Sequence, residues 1–284
     1  MAARPRTLTA AVAPVIVGTA LAWRAGAFQP LIALAALLVS LLIQIGANFA
    51  NDLYDFKKGA DAVGRVGPTR VTTAGLLSPA QVGAGMWLVF SVAALLGAYV
   101  AWMGGWPLLV LGAACILAGW AYTAGPFPLG YNGLGDVAVF IFFGLGGTLG
   151  TYYAQARALT WPALWAAVPV GLLTTNIIIV NNVRDVDTDR AVGKRTLAVL
   201  LGRTAACWEY VLLAVIAYAV PVAFVLLRWA GGWALLPLLT IPLAVSHTRA
   251  LFTLSGPALN RTLGGTAQLL AQYAALLALG LLLP

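Results

Sequence analysis

Apolar stretches close to the length that crosses a lipid bilayer recur along the whole chain, and the hydrophilic segments between them are too short to form a separate domain. The interior of a bilayer offers the backbone no hydrogen-bond partners, so stretches of this kind are expected to form α-helices. With 62% hydrophobic and 8% charged residues, the composition lies far outside that of soluble globular domains. We therefore predict an all-α, polytopic membrane protein in which residues 1–284 form a single transmembrane domain.

Turn residues and charges divide these stretches into nine predicted transmembrane helices, which we expect to surround a central cavity. The predicted helices cover residues 8–24, 31–50, 80–103, 106–122, 134–153, 161–181, 205–227, 232–250 and 264–283. The first of them also resembles a secretory signal. We expect it to be retained, because its removal would leave eight helices and no soluble domain.

Lysine and arginine residues fall almost entirely on one side of the predicted membrane. Of the 16 Lys and Arg residues, only Arg24, Arg157 and Arg228 lie on the opposite side. Positively charged loops stay on the cytoplasmic side of a membrane. The N-terminus is therefore predicted to be cytoplasmic.

Carboxylates are rare in this chain, and most of its eight Asp and Glu residues fall in two short runs on this same side, Asp52/Asp55/Asp61 and Asp185/Asp187/Asp189. Helix positions three, four and seven apart share one face, so each run predicts an oxygen-rich stripe. The first stripe contains Asn48, Asn51, Asp52 and Asp55, and the second contains Asn181, Asp185 and Asp189. Asp61 is predicted to fold back as a loop ligand, whereas Asp187 points away from its stripe.

Stacked carboxylates repel one another unless a cation neutralises them, which favours metal binding over helix capping or ion pairing at the membrane boundary. Oxygen ligands without paired Cys or His favour Mg²⁺ over zinc, and Mg²⁺ usually completes its coordination shell with water and substrate phosphates. Basic residues follow both acidic runs. They satisfy the positive-inside rule and are also suited to bind phosphate.

The two acidic runs belong to an internal repeat. Asn51-x3-Asp55 recurs 130 positions later as Asn181-x3-Asp185, and similar tails follow at residues 69–77 and 194–201. Both motifs follow predicted helices of the same direction, so the repeats are predicted to be parallel and related by an axis along the membrane normal. We therefore expect the two acidic stripes to face each other across the cavity.

Residues 51–55 (Asn-Asp-Leu-Tyr-Asp) and 181–189 (Asn-Asn-Val-Arg-Asp-Val-Asp-Thr-Asp) resemble the two Asp-rich motifs of the UbiA-type intramembrane aromatic prenyltransferases. The resemblance extends nearly end to end. It is greatest to the 1,4-dihydroxy-2-naphthoate polyprenyltransferases of menaquinone synthesis, through residues 3–8, 55–61, 67–72 and 131–136. The first motif departs from the commoner Asn-x3-Asp-x3-Asp pattern, because Gly59 stands at the third acidic position and Asp61 follows two residues later.

This resemblance implies Mg²⁺-dependent transfer of a polyprenyl group from an allylic diphosphate to 1,4-dihydroxy-2-naphthoate, with decarboxylation, to give demethylmenaquinone and pyrophosphate. The implied catalytic residues are Asn51, Asp55, Asn181, Asp185 and Asp189. The predicted metal ligands are these five residues together with Asp52 and Asp61. The predicted diphosphate contacts are Arg70, Lys194, Arg195, Lys58 and Arg184.

An allylic cation can be stabilised by aromatic faces. The candidate rings are Tyr54, Tyr122, Phe140, Phe142, Phe143, Tyr152 and Tyr153, and Tyr122 and Tyr131 flank the turn nearest the predicted site. Arg6 or Arg4 is predicted to bind the carboxylate of the acceptor. Asp136 is predicted either to orient the ring hydroxyls or to serve as an ordinary partner of a helix dipole.

Two further classes of function are open to this sequence. A secondary transporter also has repeats and intramembrane charges, but transporters place those charges near the midplane rather than at one membrane face. Phosphatidyl-alcohol transferases carry a single acidic constellation, whereas this chain has two. For the prenyltransferase, 4-hydroxybenzoate or a related quinone precursor is the alternative acceptor. We expect contact with the lipid of a bacterial cytoplasmic membrane, and neither nucleic acid nor an obligate protein partner.

Overall fold

A computed structural model describes residue 4, residues 7–60, residue 67 and residues 70–283 of the protein. Within this part of the chain the fold is helical, and nine long helical segments coincide with the nine predicted helices. They are α1 (Thr9–Arg24), α2 (Pro30–Lys57), α3 (Pro79–Gly104), α4 (Pro107–Ala121), the segment Gly135–Ala156, α7 (Trp161–Arg184), α10 (Arg203–Leu226), the segment Gly232–Thr253 and α12 (Leu259–Leu282). The predicted architecture of a multi-pass membrane protein is confirmed. Seven segments are long and apolar enough to cross a membrane, whereas α1 and α4 are shorter.

The segment Gly135–Ala156 is not a uniform α-helix. It consists of α5 (Gly135–Val139), a π-helical stretch (Phe140–Gly146) and α6 (Gly147–Ala156). The π-helical stretch lies where the backbone approaches α7 closely, since a Cβ atom on Gly144 would lie 2.2 Å from the Cα of Gly171. Local π-helical turns are frequent at functional sites.

The segment Gly232–Thr253 also changes its geometry. It begins as a 3₁₀-helix over Gly232–Thr240 and continues as α11 (Ile241–Thr253). Pro237 lies inside the 3₁₀ part. Proline has no N–H to donate to a helical hydrogen bond, which favours an irregular geometry in this part of the segment.

Helix α7 lies at the centre of the bundle. It packs mainly against α10, while α1 packs mainly against α12 and α2 packs mainly against α3. Leu173 of α7 is fully buried in a core that also contains Phe224 and Tyr273. The hydroxyl of Tyr273 donates a hydrogen bond to the backbone oxygen of Ala217 at 2.7 Å. The second acidic motif is therefore carried by a helix that is held on all sides.

Both motif-bearing helices end later than predicted. Helix α2 continues to Lys57 rather than to residue 50, so the first motif lies within the helix. Helix α7 continues to Arg184, and Asp185 follows as its cap, with its backbone N–H donating to the oxygen of Asn181 at 3.1 Å. The chain then forms the short helices α8 (Val186–Ala191) and α9 (Leu197–Leu201). The second stripe consequently spans a helix end rather than one straight helix.

Candidate active site

A cavity of about 300 Å³ lies within the helical bundle. One face of α2 lines it at helical spacing, through Ala36, Val39, Ser40, Ile43, Gln44, Ala47, Asn48, Asn51 and Asp55. At a rise of about 1.5 Å per residue, this face extends over roughly 28 Å. The opposite wall includes Asn181, Asn182, Asp185 and Asp189. The structure thus brings the two acidic motifs to the polar end of one cavity, and apolar residues line the other end.

The first motif is already engaged in polar contacts. The hydroxyl of Thr123 donates to Oδ1 of Asn51. Oδ1 of Asp55 accepts a hydrogen bond of 2.6 Å from the hydroxyl of Tyr131, and its Oδ2 forms a buried ion pair with Arg70. Both carboxylate oxygens of Asp55 are therefore occupied in this structure, and Arg70 is its charged partner.

Asp52 does not line the cavity, and its contacts favour a structural role over the predicted role as a metal ligand. Its carboxylate is buried and accepts hydrogen bonds from the backbone N–H of Val71 at 3.1 Å and of Thr72 at 3.2 Å. The hydroxyl of Thr72 adds a third bond of 2.5 Å. At about 100° of rotation per residue, Asp52 lies about 40° beyond Asn48, which is at the edge of the lining face of α2, and its side chain therefore turns toward the loop. We assign Asp52 a structural role, in which it anchors the segment that carries Arg70.

The second motif is organised by Arg184. Its guanidinium donates to both oxygens of Asp185, at 2.8 and 2.5 Å, and to Oδ1 of Asn181 at 2.8 Å. A further bond of 3.0 Å reaches Oδ1 of Asn260 on α12. The side chain is 1% exposed and does not line the cavity. These contacts favour a positioning role for Arg184 over the predicted contact with the diphosphate, since its donors are directed at the motif itself.

Asp189 differs from the other motif carboxylates. It lies on α8 with Oδ1 3.6 Å from Nζ of Lys194, whereas its buried Oδ2 has no hydrogen-bond partner among the described residues. Burial raises the pKa of Asp189 to about 6, and the neighbouring ammonium of Lys194 opposes this shift. A buried carboxylate oxygen without a partner carries a desolvation cost, and a cation at this oxygen would offset that cost.

The predicted phosphate-binding bases separate into two groups. Arg70 and Lys194 line the cavity. Arg195 is exposed and does not line it, and its backbone N–H donates to the oxygen of Tyr131 at 3.0 Å. Lys58 is outside the lining as well, because its Nζ donates to the backbone oxygen of Thr123 at 2.7 Å. Burial lowers the pKa of Lys58, although the nearby Asp55 carboxylate opposes the change. The phosphate contacts of Lys58 and Arg195 stay predictions, and neither residue lines the cavity.

Tyr131 connects the two halves of the site. Its hydroxyl donates to Asp55, and its ring centroid lies 4.2 Å from Nζ of Lys58 and 5.0 Å from Nζ of Lys194. Burial and the Asp55 carboxylate raise the pKa of Tyr131, so its hydroxyl remains a donor at neutral pH. The sequence did not reveal this link, because residue 131 lies 76 positions after Asp55.

Tyr122 lines the cavity beside the motifs, and two glycines make room for its ring. A Cβ atom on Gly130 would lie 2.7 Å from Cε1 of Tyr122, and one on Gly135 would lie 2.8 Å from its hydroxyl oxygen. Real Cβ atoms do not approach other atoms so closely, so larger residues at these positions would displace the ring.

The other predicted aromatic residues divide clearly. Phe142 and Phe143, on the π-helical stretch, line the cavity. The remaining four candidates are outside its lining: Tyr54, Phe140, Tyr152 and Tyr153. The π-helical geometry thus coincides with the place where aromatic side chains enter the cavity.

The predicted acceptor contacts are only partly described. Arg6 and the loop ligand Asp61 lie outside the described residues, whereas Arg4 lines the cavity. Asp136 is buried and does not line it, because the first turn of α5 packs against α7. The role of Asp136 in orienting the ring hydroxyls stays a prediction, and its place in the first turn of α5 also suits the alternative of a helix-dipole partner.

Several polar side chains of the cavity were missing from the predicted site. Ser40 and Gln44 continue the stripe of Asn48 and Asn51 along α2, and their helical spacing within an apolar helix was the signal that could have found them. They connect α2 to α1, since Ser40 donates to the oxygen of Ala11 at 2.9 Å. By contrast, Asp187 is 93% exposed and lies 4.0 Å from Arg190, in agreement with its predicted exclusion from the site.

Within the described residues, no group of three or more His, Cys, Asp and Glu side chains is close enough to hold a metal ion. A metal at this cavity would therefore depend on the amide oxygens of Asn51 and Asn181 and on ligand phosphates, in addition to carboxylates. This donor set suits Mg²⁺, which commonly takes only one or two protein carboxylates.

Comparison with known proteins identifies relatives over most of the chain. The model of the "UbiA prenyltransferase family" matches residues 11–282. A 1,4-dihydroxy-2-naphthoate octaprenyltransferase of Mycobacterium tuberculosis is 41% identical over 246 residues, which is 86% of this chain and 82% of that protein. The protein of the same name from Escherichia coli is 38% identical over 252 residues, 87% of this chain and 82% of the relative.

Solved structures show the same fold. A UbiA homolog from Aeropyrum pernix K1 superposes with a TM-score of 0.75 at 15% identity, over 96% of this chain and 97% of that chain. A UbiA homolog from Archaeoglobus fulgidus bound to GPP and Mg²⁺ superposes with a TM-score of 0.67 at 15% identity, over 97% of each chain. The helical arrangement around the cavity is therefore shared with proteins of low sequence identity.

Proposed function

The chain belongs to the UbiA prenyltransferase family, and we propose from this membership that it transfers a polyprenyl group from an allylic diphosphate to 1,4-dihydroxy-2-naphthoate, with decarboxylation. The relatives at 41% and 38% identity bear the name of this activity. We propose that the whole chain acts as one transmembrane domain.

The observation that carries this proposal is the two-ended character of the cavity. Its polar end joins Asn51 and Asp55 to Asn181 and Asp185, and its other end is walled by small and aliphatic side chains. A polyprenyl diphosphate has the same division, with a multiply charged anionic head and a hydrocarbon tail. The match in polarity orients such a donor with its diphosphate at the two motifs.

The polar end fits Mg²⁺ as the metal. The five oxygen-bearing residues that would hold it are Asn51, Asp55, Asn181, Asp185 and Asp189. A cation there is supported by the buried Oδ2 of Asp189, which has no hydrogen-bond partner in the part of the chain that the structure describes. When bound, Mg²⁺ neutralises negative charge that develops on the leaving pyrophosphate. Asp55 would exchange its ion pair with Arg70 for the metal, which leaves the guanidinium available to a phosphate.

The chain's own residues perform the remaining tasks. Arg70 and Lys194 line the cavity beside the motifs and would bind the diphosphate oxygens through charge-assisted hydrogen bonds. The carbon–oxygen bond of the donor breaks as these contacts strengthen, and an allylic cation forms. Tyr122, Phe142 and Phe143 line the cavity, where aromatic faces stabilise a cation and exclude water.

The acceptor is proposed to bind through its carboxylate to Arg4, which lines the cavity. A guanidinium matches the geometry of a carboxylate, because two N–H groups meet two oxygens. The electron-rich ring then forms a carbon–carbon bond with the cation, and the loss of carbon dioxide restores aromaticity.

The orientation of the protein is also a proposal. The positive-inside distribution supports a cytoplasmic location of the N-terminus and both motifs, where a water-soluble acceptor would enter. The turn at residues 157–160 should then face the opposite side. A reporter enzyme that works only outside the cytoplasm should therefore be active when it is inserted at this turn. Activity of a reporter that works only inside the cytoplasm would show the reverse orientation.

The test of function is a competition between acceptors. The purified protein receives one labelled polyprenyl diphosphate and Mg²⁺ together with 1,4-dihydroxy-2-naphthoate and 4-hydroxybenzoate, and product masses are measured. We expect pyrophosphate release and a prenylated naphthalene that lacks the carboxyl group. A product that retains the carboxyl group, or that derives from 4-hydroxybenzoate, would contradict the proposal. Removal of Mg²⁺ with EDTA should stop turnover.

A matched pair of variants tests the site itself. Asp185→Asn removes a carboxylate that lines the cavity, whereas Asp187→Asn removes one that is 93% exposed two residues later. We expect the first variant to lose turnover and the second to keep it, with both inserted in the membrane in normal amounts. Equal activity of the two variants would remove Asp185 from the catalytic residues.

A further inference from the structure

Two glycines on the cavity wall face open space. Gly97 on α3 and Gly112 on α4 both line the cavity, and a Cβ atom built on either one meets no heavy atom of the described residues within 4 Å. Other glycines of this cavity are close-packed, since a Cβ atom on Gly147 would lie 2.9 Å from Pro14. The open space in front of Gly97 and Gly112 therefore belongs to the cavity.

Both glycines lie far from the acidic motifs. The C-terminal end of α4 is at the polar end of the cavity, because the hydroxyl of Thr123 contacts Asn51. Gly112 precedes Tyr122 by ten residues, which corresponds to roughly 15 Å along a helix. Gly97 is near the end of α3, from which the chain turns directly into α4. Both therefore lie toward the apolar end.

The surroundings of these glycines are hydrocarbon. Val39, Val100 and Leu108 are among the lining residues there. The hydroxyl of Ser40, which is the polar group nearest to them along α2, already donates to the oxygen of Ala11. An occupant of this region would find apolar contacts and no unsatisfied donor from Ser40, which fits an aliphatic chain.

A neighbouring leucine shows how far a side chain reaches from this wall. A Cβ atom on Gly150 of α6 would lie 2.6 Å from Cδ2 of Leu111, so Leu111 extends from α4 as far as α6. Residue 112 is rotated by about 100° from residue 111. A leucine at position 112 would extend a similar distance into the space that the glycine leaves open.

We propose that Gly97 and Gly112 set the longest prenyl chain that the cavity admits, by leaving its apolar end unobstructed. The inference rests on the proposed function, because the occupant is the tail of the prenyl diphosphate. It adds two residues that determine donor specificity at the apolar end of the cavity, whereas the catalytic residues lie at its polar end.

The test compares a short and a long donor in the variants Gly97→Leu and Gly112→Leu. We expect kcat/KM for octaprenyl diphosphate to fall by about tenfold or more, which is the size of effect that steric exclusion of a few carbons produces in apolar pockets. The value for geranyl diphosphate should stay within about twofold, as for substitutions that touch no contact. Leucine is a better helix former than glycine, so both variants should fold.

Gly264→Leu is the matched control. Gly264 is also inside a helix, α12, and a Cβ atom there also meets nothing within 4 Å, but the residue does not line the cavity. This variant should leave the ratio of the two donors unchanged. Gly112→Ala should shift the ratio in the same direction as Gly112→Leu, but less, and it provides the test if the leucine variant fails to fold.

The outcomes separate this inference from the proposed function. A selective loss of the long donor in the cavity variants supports the role of the two glycines. Equal loss of both donors, or no change in either, overturns it while the parent protein remains an active prenyltransferase. A parent protein that transfers neither donor would instead overturn the proposed function.

Discussion

Asp52 stands inside the first acidic motif, yet its contacts indicate that it anchors a loop instead of binding a metal. Its buried carboxylate accepts two backbone N–H bonds, from Val71 and Thr72, and a hydroxyl bond from Thr72. The segment that it anchors begins with Arg70, the ion-pair partner of Asp55. Replacing Asp52 should therefore weaken the fold and misplace Arg70.

The variant Asp52→Asn tests this interpretation with almost no change in shape. One oxygen becomes an NH₂ group, which cannot accept the bond from a backbone N–H, and the remaining bonds lose their assistance from charge. Hydrogen bonds to charged groups contribute about 1.5–3 kcal/mol, so the expected loss of stability is about 2–4 kcal/mol. For a chain of this size this corresponds to a decrease in Tm of roughly 5–10 °C.

The assay measures Tm in detergent together with the Mg²⁺ concentration that gives half-maximal turnover. We expect a lower Tm and a raised KM for the diphosphate, with no rise in the Mg²⁺ requirement. Asp187→Asn, which alters an exposed carboxylate, should change neither quantity. An unchanged Tm combined with a tenfold higher Mg²⁺ requirement would refute the anchor role and restore Asp52 as a ligand.

Three further predictions concern the polar end of the cavity. Arg184→Lys keeps the charge but loses the planar guanidinium, whose two N–H groups bind both oxygens of Asp185. We expect kcat to fall by about 100-fold, as for a misplaced catalytic group. An unchanged kcat would contradict the positioning role. Tyr131→Phe removes the hydroxyl that donates to Asp55 and should lower kcat/KM about tenfold, since the lost bond is to a charged group; a normal value in steady-state assays would exclude the link. Burial raises the pKa of Asp189 to about 6, so the folded protein takes up a proton as the pH falls through about 6 and Mg²⁺ must compete with it. The Mg²⁺ requirement, measured by titration at several pH values, should rise below pH 6 and be flat above it, and Asp189→Asn should remove this dependence.

The helices and the general nature of the site were accessible from the sequence, for reasons that are local. A helix that crosses a bilayer must be apolar over nearly its whole length. Spans such as α3 can therefore be identified from the hydrophobicity of a single window of residues. Helical spacing alone predicted the stripe of Asn48, Asn51, Asp52 and Asp55 without reference to any other segment. Three of these residues line the cavity, whereas Asp52 does not.

The roles of individual charged residues were not accessible in the same way. Asp52 and Asp55 belong to one short motif and share their chemistry, but one contacts a loop and the other lines the cavity. Arg184 belongs to the second motif and was predicted to contact phosphate, whereas it is bonded to Asp185 and to Asn260, 76 positions later. No local pattern distinguishes a basic residue that binds a substrate from one that holds a carboxylate.

The difference has one physical origin. Hydrophobicity and helical periodicity are properties of adjacent residues, so local sequence was sufficient to predict the nine long helical segments of the described chain and most members of the polar stripes. Inside a medium of low dielectric constant, a charged group is governed by whichever partner is within a few ångströms. Packing brought Arg70 and Tyr131 to Asp55 and left one oxygen of Asp189 without a partner in the described chain. The partners of each charged residue, and therefore its role, were decided only by the tertiary structure.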